Sequence, residues 1–159
     1  MKRLLLVLCI AFAGNIYGQI FNEDIKNTTF DLFEDLVFLN SEVIKNGDCD
    51  NGYRLNDIAL RLEIIVALMT SVNDLIALKV GTKSILNSSL ASTLERDTYK
   101  YLDGTYALRI DNLIMKSKGL IKVINHHMTP LIGSGQVIVN DLRNNLRAII
   151  RLAEKYKDV

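Results

Sequence analysis

Apolar residues in the middle of the chain recur at Leu55, Ile58, Leu62, Ile65, Met69, Val72 and Ile76, in steps that alternate between three and four. A side chain repeats its direction about every 3.6 residues in a helix and every two in a strand, so this spacing predicts a helix with one continuous seam. Leu68, Leu75 and Leu78 add a second apolar face, which makes this the central helix, with expected bounds 53–80 and Gly81 as its stop. Upstream, Ile25, Leu32, Leu36, Leu39 and Val43 form a stripe, with Phe33, Val37 and Ile44 beside it. Asp24, Asp31, Glu34 and Asp35 load the first half of that segment with acid and Lys45 closes it, as the helix macrodipole favours. Asn46 to Gly52 reads as a polar turn.

Beyond Gly81 the pattern weakens. Ile85, Leu86, Leu90 and Leu94 predict a short helix diluted by Ser88, Ser89, Ser92 and Thr93. From about Asp97 a strong seam returns at Leu102, Tyr106, Ile110, Leu113, Ser117, Leu120 and Ile124, with Gly104 as either a close-packing point or a break. Thr129-Pro130 stops that helix and Gly133-Ser134-Gly135 completes the loop. The last helix carries Ile138, Leu142, Leu146, Ile149, Ala153 and Tyr156, with Arg143, Arg147 and Arg151 on another face. Period-two alternation is missing from the sequence, so the expected fold is an all-α antiparallel bundle of four to five helices.

The extreme N-terminus reads differently. Lys2 and Arg3 precede an apolar run from Leu4 to Ala13, followed by small and polar residues to Gly18, the layout of a cleavable secretory signal. Ten apolar residues at about 1.5 Å each reach only half of a hydrocarbon core, which argues against an uncleaved anchor. Cleavage after Ala13 competes with cleavage after Gly18; the polar spacer favours Gly18. The expected organisation is therefore a signal peptide at 1–18 and a single helical domain at 19–159, periplasmic or secreted. The central helix contains Arg61, Glu63, Asn73 and Asp74, which are costly at bilayer depth, so no membrane span is expected after cleavage.

The 159 residues are 49% apolar and 23% charged, with a formal charge of +1. Loss of residues 1–18 removes Lys2 and Arg3 and changes the charge to −1, so there is no electrostatic reason to expect a nucleic-acid partner. Cys9 goes with the signal, which leaves Cys49 as a single thiol in an exported chain, either tolerated or an intermolecular link.

Candidate chemistry is sparse. His126 and His127 are neighbours whose rings point about 100° apart on a helix, so they do not share one metal. Asn46 to Gly52 has oxygen side chains at the first, third and fifth places of a calcium loop, but Gly52 falls one place late and Asp57 stands where a longer Glu would reach the ion. Gly133-Ser134-Gly135 lacks the glycine, the lysine and the preceding strand of a phosphate cradle. Asn27-Thr28-Thr29 and Asn87-Ser88-Ser89 fit the glycosylation pattern, at a frequency that chance supplies. With no acid, base, nucleophile or metal set, neither an enzyme nor a cofactor is expected. Tyr99, Tyr101 and Tyr106 with Arg109 form the densest aromatic-basic cluster, and Tyr and Arg are favoured at interface centres. These four are the candidate interaction surface, with packing in the core as the alternative.

The stretch from Tyr101 to Ile149, with YLDGTYALRIDNL at its start, together with the signal ending in Tyr17-Gly18-Gln19, resembles small periplasmic helical proteins encoded with conjugative-transposon and type IV secretion systems in Bacteroidota. The resemblance covers about a third of the chain and implies a non-enzymatic role in assembly or with a pilus. The expected function is thus an exported protein acting through protein contacts, including self-association. The alternatives are a carrier holding a small apolar ligand or lipid among Leu62, Ile65, Met69, Leu113 and Ile124, and a secreted effector or immunity-type protein.

Overall fold

The computed structural model describes residues 20–86, 92–127 and 134–158. The expected signal segment lies outside them. The described residues form four helices and no strand: α1 Glu23–Lys45, α2 Cys49–Leu86, α3 Thr93–His127 and α4 Ser134–Lys155. The protein is all-α.

Local chemistry sets three of the helix starts. Asn22 caps α1, its side-chain oxygen accepting from the Ile25 N–H at 3.0 Å. Lys45 is followed by Asn46, then by Gly47 at φ +81°. The Gly47 N–H donates to Ile44 O at 3.0 Å and the Asp48 N–H to Val43 O at 3.1 Å, which together close the last turn of α1. Asp48 then caps α2, accepting from the Asn51 N–H at 3.1 Å and the Asn51 side-chain amide at 2.7 Å. The polar stretch read as a turn thus serves two helices within three residues. Ser92 and Glu95 cap α3 reciprocally: the Ser92 N–H donates to Glu95 Oε2 at 2.6 Å, and the Glu95 N–H to Ser92 Oγ at 3.4 Å. These bonds hold the Glu95 carboxyl below its ordinary pKa, the backbone bond contributing most.

The structure revises the expected helix bounds. Gly81 does not stop α2, which begins at Cys49 and runs on to Leu86. Glycine ends a helix where it takes up positive φ, and among the described glycines Gly47 alone does so. Gly104 likewise interrupts nothing; α3 is continuous through it. The short helix expected after Gly81 is absent as a unit. Leu86 ends α2, Leu94 sits in the first turn of α3, and Leu90 lies outside the described residues.

All seven residues of the α2 seam are buried. They meet Tyr106, Ile110, Leu113, Leu120 and Ile124 of α3 and Leu142, Leu146, Ile149 and Ala153 of α4 in one core, with Leu32 and Leu36 from α1. Ile20 and Phe21, ahead of α1, are buried in the same core. Contacts run α1 to α2 to α3 to α4 and return from α4 to α1. Polar pairs, with one close packing contact between the end of α1 and the start of α2, mark the junctions. Phe21 is bonded to Asn73, and Ile44 closes on Gly52, where an added Cβ would lie 2.6 Å from Ile44 Cγ1. Lys79 pairs with Asp103 at 2.5 Å, Lys118 with Glu154 at 2.7 Å and Lys157 with Asp111 at 2.8 Å. The Asn145 amide donates to the buried Thr29 hydroxyl at 2.7 Å, and that hydroxyl donates in turn to Ile25 O at 2.6 Å.

Candidate interaction surface

The four residues of the aromatic-basic cluster do not share one surface. Tyr106 lies in the core with no exposed area, Tyr99 is half-buried, and Tyr101 and Arg109 face outward, Tyr101 being 73% exposed. The division follows helix geometry, since neighbouring residues are about 100° apart and only Tyr106 falls on the α3 seam. The Tyr106 hydroxyl donates to Tyr156 O at 2.6 Å, and Lys79 Nζ stands 4.9 Å from the ring centroid. Burial pushes that hydroxyl up to about 12, and the neighbouring Tyr156 adds to the shift. Tyr106 therefore joins α2, α3 and the end of α4; it is not an interface residue.

Tyr101 belongs to a different row. Leu94, Tyr101, Leu108 and Met115 are spaced by seven residues along α3 and are 75%, 73%, 62% and 58% exposed. A seven-residue step returns a helix to nearly the same direction, so the four form a line on the outer side of α3. On α2, Tyr53, Leu60, Ile64 and Leu78 are also exposed. The α2 row borders grooves that it shares with α3: Lys116 lines one of about 250 Å³ with Asp57, Leu60, Arg61 and Ile64. Val123 of α3 lines another, of about 340 Å³, with Tyr53, Arg54 and Ile58. The sequence reading missed this surface. The seven-residue spacing of its α3 row was present in the sequence but was overshadowed by the denser core seam on the opposite side of the same helix.

Cys49 is exposed, the first residue of α2, and lines a groove of about 250 Å³ with Asn40, Ile44, Gly52 and Tyr53. Asp50, Asn51 and Gly52 are helical and Asp48 is engaged as a cap, so the stretch does not curl around an ion as a calcium loop does. Among the described residues no group of three or more His, Cys, Asp or Glu side chains is placed to hold a metal. His126 is exposed near the end of α3; the side chains of His127 and Ser134 and the loop residues 128–133 fall outside the description. Leu62, Ile65, Met69, Leu113 and Ile124, named for an apolar ligand cavity, are packed together in the core, and none lines the three grooves. One helix among the described residues, Cys49–Lys83, is long and apolar enough to cross a membrane by length and composition, and its seam is buried against the other helices. Comparison with protein-family models, curated proteins and solved structures finds no match to this chain.

Proposed function

We propose that this chain is an exported, non-enzymatic protein that works through protein contacts, as a periplasmic subunit of envelope or conjugative-transfer machinery. The signal-like segment at 1–18 and the resemblance of Tyr101 to Leu113 to helical proteins of such systems motivate the compartment and the role. In this reading an antiparallel bundle displays a contact surface. The antiparallel arrangement is supported by Phe21 meeting Asn73 while Ile44 meets Gly52, and by Asp111 reaching Lys157 while Lys118 reaches Glu154.

One observation carries the contact role: the outer row of Leu94, Tyr101, Leu108 and Met115, which leaves four large apolar side chains in water. The test is cross-linking in the native envelope, followed by purification and identification of what is attached. Recovery of secretion or conjugation components supports the role. A chain found in the cytoplasm, or recovered from the envelope with nothing attached, overturns it.

A further inference from the structure

We infer that the outer face of α2 and α3 is a self-association surface, with α2 of one copy seated on α3 of another across a twofold axis. The inference rests on the reading of this chain as a contact protein and names the surface and its occupant. The face combines Tyr53, Leu60, Ile64 and Leu78 from α2 with Leu94, Tyr101, Leu108 and Met115 from α3. All eight are large apolar side chains, the least exposed of them, Ile64, at 48%, and apolar surface of this extent marks an interaction face.

Charge selects a second copy of the chain over other occupants. Glu63 and Asp74 stand on the exposed side of α2, and neither has an ion-pair partner among the described residues. Lys100, Lys116 and Lys122 stand on the exposed side of α3, likewise unpaired; Asp97 is the acidic exception near its start. Arg61 is paired with Asp57 and Arg54 is also engaged, while Lys83 is the basic exception near the end of α2, so the uncompensated charges of the face are mainly acidic along one helix and mainly basic along the other. A twofold axis through it brings the acidic edge onto the partner's basic edge twice, so the pattern complements itself. A bilayer surface has no such use for an acidic edge. A formal charge near zero, +1 for the whole chain and −1 without residues 1–18, offers no overall repulsion against pairing.

Gly104 fits the same arrangement. It is exposed on α3 between Tyr101 and Leu108, an added Cβ would meet nothing within 4 Å, and its missing side chain lets another helix approach closely.

The test uses the chain as its host produces it, with mass measured by light scattering over a wide concentration range. One variant carries Glu63→Lys with Asp74→Lys, and a second carries Lys116→Glu with Lys122→Glu. All four positions are exposed, so folding is retained, as circular dichroism verifies. The parent is expected to form dimers, and each variant alone to associate about tenfold more weakly or worse, because like charges then face each other. Mixed in equal amounts, the two variants regain the parent's dimerisation, since every edge again meets its opposite. Leu108→Glu abolishes dimerisation. A strictly monomeric parent, dimers indifferent to these changes, or failure of the mixture to pair overturns the inference. So does a monomeric parent that binds phosphatidylcholine vesicles through Leu108, which would make the face a membrane surface. Dimers without other envelope partners in the cross-linking experiment would overturn the reading as a subunit of the machinery alone, and envelope partners without dimers would overturn this inference alone.

Discussion

Asn73 holds both backbone groups of Phe21: its side-chain oxygen accepts from the Phe21 N–H at 3.2 Å, and its amide donates to Phe21 O at 3.1 Å. The two residues are 52 apart in sequence and both are buried. One side-chain amide thus replaces water for both backbone groups of Phe21 where the chain enters α1, which allows Ile20 and Phe21 to enter the core. Asn73→Ala leaves two buried backbone groups unpaired and is expected to lower stability by about 2–4 kcal/mol. Asn73→Asp keeps the acceptor and loses the donor. Urea unfolding midpoints check the alanine loss; a value within error of the parent would show that Phe21 is held by packing alone.

The Tyr106 hydroxyl gives the fold a dependence on alkaline pH. Its folded pKa of about 12 lies above the ordinary value of 10.0, so the unfolded chain releases the proton first as pH rises. The contribution is fully present below pH 10 and is lost between 10 and 12, at about 1.4 kcal/mol per unit within that window. Tyr106→Phe removes this component, so the parent should lose stability more steeply than the variant across the window. At neutral pH the variant is expected to be about 1 kcal/mol less stable, because Tyr156 O loses its donor. Parallel unfolding curves at several pH values decide the point.

Lys79 is a nearly buried ammonium with a half-exposed partner, Asp103, and the Tyr106 ring beside it. Removing the partner leaves the charge in place; removing the charge leaves an aspartate that can turn to water. Asp103→Asn is therefore expected to destabilise by about 1–3 kcal/mol, and Lys79→Met by less. The double variant should lie closer to Lys79→Met than the sum of the two losses predicts. Thermal unfolding of the three proteins measures the difference, and additive losses would show that the pair is not coupled.

Three glycines should respond to alanine in different directions. Gly104→Ala places a methyl in open space on a helix and is expected to stabilise by about 0.5–1 kcal/mol. Gly47→Ala destabilises, since Gly47 holds φ +81° where α1 ends. Gly52→Ala also destabilises, because its Cβ would lie 2.6 Å from Ile44 Cγ1 and force the start of α2 away from the end of α1. Melting temperatures measured at concentrations where the chain is monomeric order the set, and a destabilised Gly104→Ala there would show that α3 does not run straight through this position.

Helix type and the identity of the core were legible in the residues themselves. Leu55 to Ile76 and Leu142 to Ala153 are buried as their spacing requires, because a 3.6-residue repeat leaves one stripe that must be covered. The candidate surface was legible only in part. Tyr101 and Tyr106 look equivalent as neighbours in a tyrosine-rich stretch, yet one is in water and the other in the core. A composition cluster carries no direction, whereas position on the helix does.

By itself the sequence determined that the chain is helical, which stripes are apolar, and where Asn46-Gly47 ends a helix, all of which follow from interactions within a few residues. Tertiary structure decided the rest. It determined that Gly81 and Gly104 continue their helices, that Lys79 is buried, and that Asn73 serves Phe21. It also determined that the row from Leu94 to Met115, with its apolar heptad spacing, is left outside. Each of these depends on which neighbour occupies the space beside a residue, and that neighbour comes from another helix many residues away.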